Sequence, residues 1–139
     1  MVSAIDGARK QLGELIASRR GGRPAGGRQV LVGLLGRGIQ ASKTPRMHEL
    51  EGARLGLDYT YVLIDFDVLG LADHDLGAMI DEAEALGFAG LNVTHPYKQA
   101  VLPLLDDLAP EAASIGAVNT VVLGGGREVD VPKKLVEAA

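Results

Sequence analysis

Strand and helix patterns alternate along this chain of 139 residues, with short connections between them. Apolar, β-rich runs bounded by glycine predict strands, and apolar residues at helical spacing predict helices. The predicted strands are 29–35, 59–66, 88–93, 117–123 and 127–130, and the predicted helices are 4–18, 45–56, 75–86, 96–105, 110–115 and 132–138. Such alternation is typical of βαβ units that build a mostly parallel sheet, so we expect an α/β fold.

The composition is that of one globular domain. Hydrophobic residues make up 47% of the chain and charged residues 23%, a balance typical of a soluble domain with an apolar core. The lack of cysteine excludes disulfide frameworks and cysteine nucleophiles. No apolar run approaches the ~18–20 residues of a membrane span, and no signal-peptide pattern is visible. We therefore expect a cytoplasmic protein with no membrane partner.

Charge is unevenly distributed along the chain. The formal net charge is −4, yet residues 1–28 hold six basic and two acidic side chains. The remaining chain is acidic and lacks the basic surface that phosphate binding needs, which argues against a nucleic-acid partner. Because four glycines and a proline interrupt 21–27, we expect an N-terminal helix and a flexible basic linker over 1–28. After this linker we expect one domain over 29–123 and then an atypical tail over 124–139.

A glycine motif follows the first predicted strand. Residues 36–41 match the dinucleotide-binding fingerprint, and Asp65 at the end of the next strand is placed to hold a ribose. The fingerprint requires glycines that lead directly into a helix whose amides bind the pyrophosphate. Here three residues intervene before Pro45 begins the helix. The spacing therefore leaves both dinucleotide binding and a plain glycine turn open.

Two hydroxyl side chains, Ser42 and Thr44, lie two residues apart at the start of the same helix. Two hydroxyls and the positive end of a helix dipole suit a small carboxylate. Thr-Pro is also a common helix start in which threonine serves only as the N-cap. The two roles can coexist.

Polar residues also follow the third predicted strand. Asn92 and Thr94 project to the same side because side-chain direction alternates along a strand. Lys98 falls in the first turn of the helix predicted to begin at Pro96, where the macrodipole disfavours a cation. Two interpretations stay open: the lysine has a functional role there, or it is an ordinary surface lysine. Asn119 interrupts the apolar strand predicted over 117–123. It is either a bulge or cap residue, or a ligand donor at the same sheet edge as Asn92 and Thr94.

Other chemistries find no support in the pattern. His48 and His95 have no carboxylate or second histidine at ligand spacing, so we expect no metal site. No nucleophile elbow or oriented pair of carboxylates is present.

Three motifs occur in an order that resembles a known family. Residues 36–48 read Gly-x-Gly-Ile-x-x-Ser-x-Thr-Pro-x-Met-His, residues 92–98 read Asn-Val-Thr-x-Pro-x-Lys, and residues 116–120 read Gly-Ala-Val-Asn-Thr. Over residues 30–123 this pattern resembles the substrate-binding domain of shikimate dehydrogenases. Thr44 and the following Met-His-Glu are most similar to the quinate/shikimate dehydrogenases of actinobacterial type. The resemblance implies a three-layer sandwich with a mostly parallel sheet.

The resemblance also implies roles for individual residues. Ser42 and Thr44 bind the carboxylate of shikimate or quinate, and Lys98 is the acid–base residue at the hydroxyl that is oxidised. The glycine loop shapes the substrate pocket, and the cofactor, NADP or NAD, binds to a second domain. The ring hydroxyls are bound by Asn92, Thr94 and Asn119.

The chain departs from this family after Leu123. Family members continue into an aspartate that partners the lysine and then a full dinucleotide-binding domain. Asp130 lacks the Asn-Thr that precedes that aspartate. We therefore expect a substrate-binding domain that is inactive alone and works with a separate cofactor domain. The alternatives are a non-catalytic module for small carboxylates and a nucleotide-binding domain.

A missing second domain would expose apolar groups around 117–123. We expect that face to be covered in one of two ways. The chain forms a homodimer through it, or the N-terminal helix folds back as a lid that uses Leu12, Leu15 and Ile16.

Overall fold

The computed structural model describes residues 3–21, 28–106, 108 and 110–123, the side chains of residues 111 and 112 excepted. Its helices are α1 (Ala4–Arg20), α2 (Thr44–Arg54), α3 (Phe66–Leu69), α4 (Leu76–Ala85) and α5 (Pro110–Ile115). Its strands are β1 (Arg28–Gly36), β2 (Leu57–Asp65), β3 (Gly90–Val93) and β4 (Thr120–Val122). The predicted strand 127–130 and helix 132–138, Asp130 and most of the predicted linker lie outside the described residues.

The four strands form one sheet in the order β2-β1-β3-β4. β1 pairs in parallel with both β2 and β3, and β4 is antiparallel to β3. This arrangement confirms the expected α/β fold with a mostly parallel sheet. Because β1, β2 and β3 run in one direction, their carboxyl ends meet at one edge of the sheet, the edge at which open sheets of this kind bind ligands.

Helices cover both faces of the sheet. One face contributes Leu35, Ile64 and Leu91 to the main apolar core, which α4 completes with Met79 and Ile80. The other face is covered at β2 by α2, which packs there on Tyr59 and Tyr61. The result is the expected three-layer arrangement. No helix formed by the described residues is long and apolar enough to cross a bilayer.

Helix α1 folds back onto the domain. Its start is capped reciprocally by Ser3 and Asp6, and Leu12 is buried completely in the main core. The helix contacts β2, α3 and α4, and Arg9 forms a two-point ion pair with Glu82 on α4, the shorter bond being 2.6 Å. Helix α1 is therefore anchored to the domain through the main core and through an ion pair with α4.

Helix α2 presents a different face from the one that its apolar stripe predicts. Met47, Leu50 and Leu55 recur at roughly helical spacing in the sequence, a pattern that predicts an apolar stripe on this helix, but they are 53%, 58% and 65% exposed. The buried positions of the helix include His48 and Gly52. A Cβ at Gly52 would overlap the Tyr59 side chain, 2.6 Å from Cγ. The helix packs through this glycine because only a residue without a side chain allows so close an approach.

The helix predicted over 96–105 does not form. The segment consists of turns and a 3₁₀ turn over Leu102–Leu104. The carbonyl of Lys98, which an α-helix would pair with the Leu102 amide, instead accepts from the Val118 amide over 2.9 Å. The Leu102 amide donates to Gln99, three residues back. A long-range bond therefore replaces a helical one, and the dipole argument for Lys98 no longer applies.

The strand predicted over 117–123 is shorter in the structure. Only β4 joins the ladder, while Val118 pairs with the Lys98 carbonyl and Asn119 with the Val93 amide. Val118 and Val121 are fully buried and Leu123 is 7% exposed, so of the apolar side chains expected to be exposed in this segment only Ala117 and Val122 are partly accessible. The large exposed apolar side chains of the described residues lie elsewhere, chiefly on and after α2 and at Ile115.

The glycine loop after β1 is held by the carboxylate of Asp65. The amides of Gly38 and Ile39 donate to its two oxygens over 3.0 and 2.8 Å, and the Gln40 side chain donates over 3.2 Å. The Asp67 amide donates over 2.9 Å and caps α3, a helix that the sequence did not predict. Asp65 is therefore a structural anion within the loop rather than a free carboxylate beside it.

Gly36 explains why the loop begins with glycine. A Cβ there would lie 2.6 Å from Thr94 Cγ2 and 3.0 Å from the His95 carbonyl oxygen. The Arg37 amide donates to that same carbonyl over 3.3 Å. The absence of a side chain allows the end of β1 to approach the segment after β3, which carries several predicted site residues.

The glycine at the contact between α2 and β2 gives a first prediction. We expect Gly52→Ala to lower the free energy of unfolding by about 1–3 kcal/mol, because the added methyl overpacks Tyr59. Gly13→Ala, on the exposed side of α1 with nothing within 4 Å, is the matched control and should stabilise by about 0.5–1 kcal/mol. Urea unfolding of both variants measures this. Equal changes in the free energy of unfolding in the two variants would contradict the overpacking of Tyr59.

Asp65 gives a second prediction, about pH. Burial alone raises the pKa of Asp65, but the hydrogen bonds from Ile39, Gly38, Gln40 and Asp67 outweigh it and leave the pKa below its usual range. The carboxylate therefore stabilises the fold above the unfolded pKa of about 3.9, and this contribution is lost as pH falls through the lower folded pKa. We expect Asp65→Asn to lower the unfolding free energy by about 1–3 kcal/mol at neutral pH, with a difference that shrinks below about pH 4.

The measurement is urea unfolding of wild type and Asp65→Asn at several pH values. Glu84→Gln, an exposed carboxylate on α4, serves as the control for a general loss of negative charge. A difference between wild type and Asp65→Asn that is the same at neutral and acid pH would show that the loop does not depend on the ionised carboxylate.

Candidate functional site

A cleft of about 270 Å³ opens at the carboxyl edge of the sheet. The turn after β1, the start of α2, the end of β3 and the segment before β4 form its walls. Leu34, Ile39 and Val93 contribute apolar surface. All of the predicted site residues line this one cleft, namely Ser42, Thr44, Asn92, Thr94, Lys98 and Asn119.

Ser42 and Thr44 form a fixed pair of hydroxyls at the start of α2. Ser42 Oγ donates to Thr44 Oγ1 over 2.8 Å and accepts from the Thr44 amide over 3.2 Å. Thr44 is the first residue of the helix, and the N-cap is Lys43, which makes no side-chain cap bond. The alternative in which Thr44 is only an N-cap is therefore wrong. The two hydroxyls lie at the positive end of the helix, where they can bind an anion.

Asn92 and Thr94 lie at and just beyond the end of β3. Thr94 is held by its amide, which donates to the Leu35 carbonyl over 2.9 Å. Asn92 is only 5% exposed. Both side chains line the cleft, as strand alternation predicts.

Lys98 reaches the cleft from a turn rather than from a helix. Its carbonyl is fixed by Val118, while its side chain is exposed and lines the cleft. Within the described part of the chain no carboxylate forms an ion pair with its ammonium group. The amine therefore faces the cleft, where a ligand can approach it.

Asn119 brings a buried hydrogen-bond acceptor to the wall formed by β3 and the segment before β4. Its carbonyl accepts from the Val93 amide over 2.8 Å, whereas its side-chain Oδ1 is buried and has no hydrogen-bond partner among the described residues. An unpaired buried acceptor is unfavourable by about 1–3 kcal/mol. A ligand hydroxyl that donates to this oxygen would remove that cost.

An aromatic layer behind the cleft was missed from the sequence. The His48 ring stacks on Tyr61 with 4.5 Å between ring centroids, and His48 Nδ1 lies 3.3 Å from the Tyr59 hydroxyl. Burial lowers the pKa of His48 and raises the pKa of Tyr59. Tyr61 reaches Asn92 only because β2 and β3 flank β1 in a particular register. No spacing along the chain could have shown this contact.

The expected lid is not present at the cleft. Helix α1 folds back as that alternative required, with Leu12 buried and Ile16 partly buried, but none of its residues lines the cleft. Leu15 is 38% exposed. The hydrophobic core beside α4 holds the helix more strongly than the polar cleft edge could, because the burial of apolar surface drives packing.

The glycine loop does not fit the pyrophosphate of a dinucleotide. In the fingerprint the loop amides donate to phosphate oxygens, but here the Gly38 and Ile39 amides already donate to Asp65. Asp65 itself accepts four hydrogen bonds from the protein and is 1% exposed. It is therefore not placed to bind a ribose.

Comparison with known proteins gives a consistent result. A family model described as the shikimate dehydrogenase substrate binding domain matches residues 34–121. The chain is 54% identical over 99 residues to a shikimate dehydrogenase (NADP(+)) from Streptomyces avermitilis, covering 71% of this chain and 34% of that protein. It is 51% identical over 94 residues to a quinate/shikimate dehydrogenase (NAD(+)) from Corynebacterium glutamicum, covering 68% and 33%.

Solved structures agree with the sequence relatives. Quinate dehydrogenase from Corynebacterium glutamicum in complex with NAD matches with a TM-score of 0.68 and 48% identity, covering 74% of this chain and 37% of that one. Shikimate 5-dehydrogenase from Listeria monocytogenes in complex with shikimate and NAD matches with a TM-score of 0.64 and 35% identity, covering 73% and 34%. The chain spans about a third of the length of the curated relatives it matches. These matches confirm the resemblance seen in the motifs, and the chain belongs to the family of shikimate dehydrogenase substrate-binding domains.

Proposed function

We propose that this chain binds shikimate or quinate in the cleft and supplies the substrate-binding half of a shikimate or quinate dehydrogenase. The observation that carries the proposal is the convergence of six predicted side chains, from four separate segments, on one cleft of about 270 Å³. That volume suits a small ring compound. The cleft also offers the polar groups that such a compound needs, because hydroxyls, amides and an amine line it.

The carboxylate end of the ligand is assigned to Ser42 and Thr44. Their hydroxyls are 2.8 Å apart and lie at the start of an α-helix of 11 residues. A carboxylate there gains charge-assisted hydrogen bonds and the favourable field of the helix N-terminus.

The ring hydroxyls are assigned to Asn92, Thr94 and Asn119. These side chains offer donors and acceptors on the wall formed by β3 and the segment before β4. Asn119 Oδ1, which has no partner among the residues that the structure describes, supports this role because a ligand hydroxyl could donate to it.

Lys98 is assigned to proton exchange at the hydroxyl that is oxidised. Its exposed amine faces the cleft beside Asn92 and Thr94, and an amine within hydrogen-bond reach of a hydroxyl can act as its base. The relatives are named as NADP(+) or NAD(+) enzymes. Because the glycine loop does not fit such a cofactor, we assign cofactor binding to a separate domain.

A cofactor domain is also the partner that we propose for the exposed apolar side chains on and after α2. The chain covers only about a third of its curated relatives, and Met47 and Leu50 lie beside residues that border the cleft. A homodimer through this surface is the alternative. A non-catalytic carboxylate-binding module would use the same cleft and differs only in turnover.

We expect the isolated chain to bind substrate without oxidising it. Hydride transfer requires the reacting carbons to be held about 3–3.5 Å apart, and the described residues offer no cofactor site that could do this. The measurement is nicotinamide absorbance with shikimate or quinate, with and without a separately expressed cofactor domain from a relative. Turnover by the isolated chain that Lys98→Ala abolishes would contradict the missing cofactor site.

We expect the double variant Ser42→Ala/Thr44→Ala to bind shikimate or quinate at least about tenfold more weakly. It loses two hydrogen bonds of about 0.5–1.5 kcal/mol each, and more where the carboxylate charge assists them. Calorimetric titration measures the affinity, and a thermal melt shows whether the variant is folded. Ser114→Ala, an exposed serine on α5, is the control. Unchanged affinity in the folded double variant would refute the carboxylate assignment.

A further inference from the structure

The phenol of Tyr61 lies behind the cleft and is fully buried in β2. Its hydroxyl donates to Asn92 Oδ1 over 2.8 Å. An amide oxygen only accepts hydrogen bonds, so the direction of this bond is fixed. Burial raises the pKa of Tyr61 far above its usual range, so the phenol keeps the proton that it donates.

The other end of the Asn92 amide is held as well. Its Nδ2 donates to Thr120 Oγ1 over 3.2 Å, and both residues are less than a tenth exposed. The amide oxygen therefore points towards β2 and the nitrogen towards β4. The nitrogen carries two protons and Thr120 accepts one, so the second N–H has no acceptor among the described residues and is left for a ligand in the cleft.

Tyr61 determines which way this amide faces. The Thr120 hydroxyl can donate or accept, so it tolerates either orientation of Asn92. With the amide reversed, Nδ2 would face the phenol oxygen, and the phenolic proton would have no acceptor among the described residues. A buried donor without an acceptor is strongly unfavourable. The observed orientation is the one that pairs the phenolic proton.

We propose that Tyr61 is a positioning residue that orients Asn92 so that its amide offers a hydrogen-bond donor to a ring hydroxyl of the ligand. The identity of the ligand rests on the proposed function. Asn92 would then donate to a hydroxyl oxygen, while Asn119 Oδ1, which is buried and has no partner in the described part of the chain, accepts a hydroxyl proton. The two amides therefore select a ligand with two hydroxyls, one that accepts a hydrogen bond from Asn92 and one that donates a hydrogen bond to Asn119.

The first test uses the protein without ligand. In Tyr61→Phe we expect the side-chain amide protons of Asn92 to shift in the NMR spectrum and to exchange faster with water. Tyr59→Phe is the matched control, because Tyr59 lies two residues earlier on the same strand and pairs with His48 instead. Unchanged Asn92 amide signals in folded Tyr61→Phe would overturn the proposal.

A measurement on the unaltered chain covers the case in which Tyr61→Phe does not fold. The hydroxyl proton of Tyr61 should exchange slowly enough in the cold to be observed and should show a nuclear Overhauser contact to the Asn92 side chain. Rapid exchange without that contact would equally overturn the proposal.

The second test is calorimetric titration with shikimate and quinate. We expect Tyr61→Phe to weaken binding about three- to tenfold and Tyr59→Phe to leave it unchanged. In an Asn92→Ala background, Tyr61→Phe should cause no further loss, because Tyr61 acts through Asn92. A purely structural role would give additive losses and would overturn the proposal. Should the wild-type chain bind neither acid, the proposed function fails, and the NMR measurement still decides the role of Tyr61.

Discussion

Two parallel ladders, one on each side of β1, set the position of every other part of the domain. β1 matches β2 residue for residue from Arg28 with Leu57 to Gly36 with Asp65, and its second half pairs with β3. Every backbone polar group in the second half of the strand must find a partner in these ladders, since an unpaired buried group is unfavourable. The register therefore brings the end of β1, Asp65 and the end of β3 to one level, and the cleft forms there.

The loops at the carboxyl ends of these strands are held by hydrogen bonds and ion pairs to charged side chains of the domain itself. Asp65 supplies an anion to the amides of the glycine loop, which in a dinucleotide-binding domain would receive a phosphate. Arg37 in the same loop is bound by Asp73 over 2.8 Å and by the Leu71 carbonyl over 2.9 Å. Tyr97, next to Lys98, donates to Asp73 over 2.7 Å. A motif that resembles a nucleotide-binding loop is thus hydrogen-bonded to side chains of this chain, and it forms part of the neighbouring cleft.

Local sequence patterns located most elements whose position depends on nearby residues, although the short helix α3 was not among them. The strands β1, β2 and β3, and the polar residues that follow β1 and β3, could be located in this way because alternation and strand ends are local properties. The roles assigned to the six site residues stay predictions, but their convergence on one cleft is a fact of the structure. The three-layer arrangement came from the family resemblance rather than from periodicity.

Prediction failed where a contact between distant residues decided the outcome. The inward face of α2 is set by Gly52 against Tyr59, and an apolar stripe contains no information about a contact made by an absent side chain. In the segment after Pro96 the Lys98 carbonyl accepts from the distant Val118 amide and not from the Leu102 amide, as it would in a helix. Tyr61 reaches Asn92 across the sheet, so only the strand register reveals their contact.

The bond between the Val118 amide and the Lys98 carbonyl makes one wall of the cleft rigid. Lys98 and Asn119 come from segments about twenty residues apart, yet this bond and that of the Asn119 carbonyl to Val93 join both to β3. The wall is thus preorganised, and a ligand that docks there has little backbone entropy to remove. Any narrowing of the cleft around a bound molecule must come from the facing wall, which carries Ser42 and Thr44, or from a partner that closes over it.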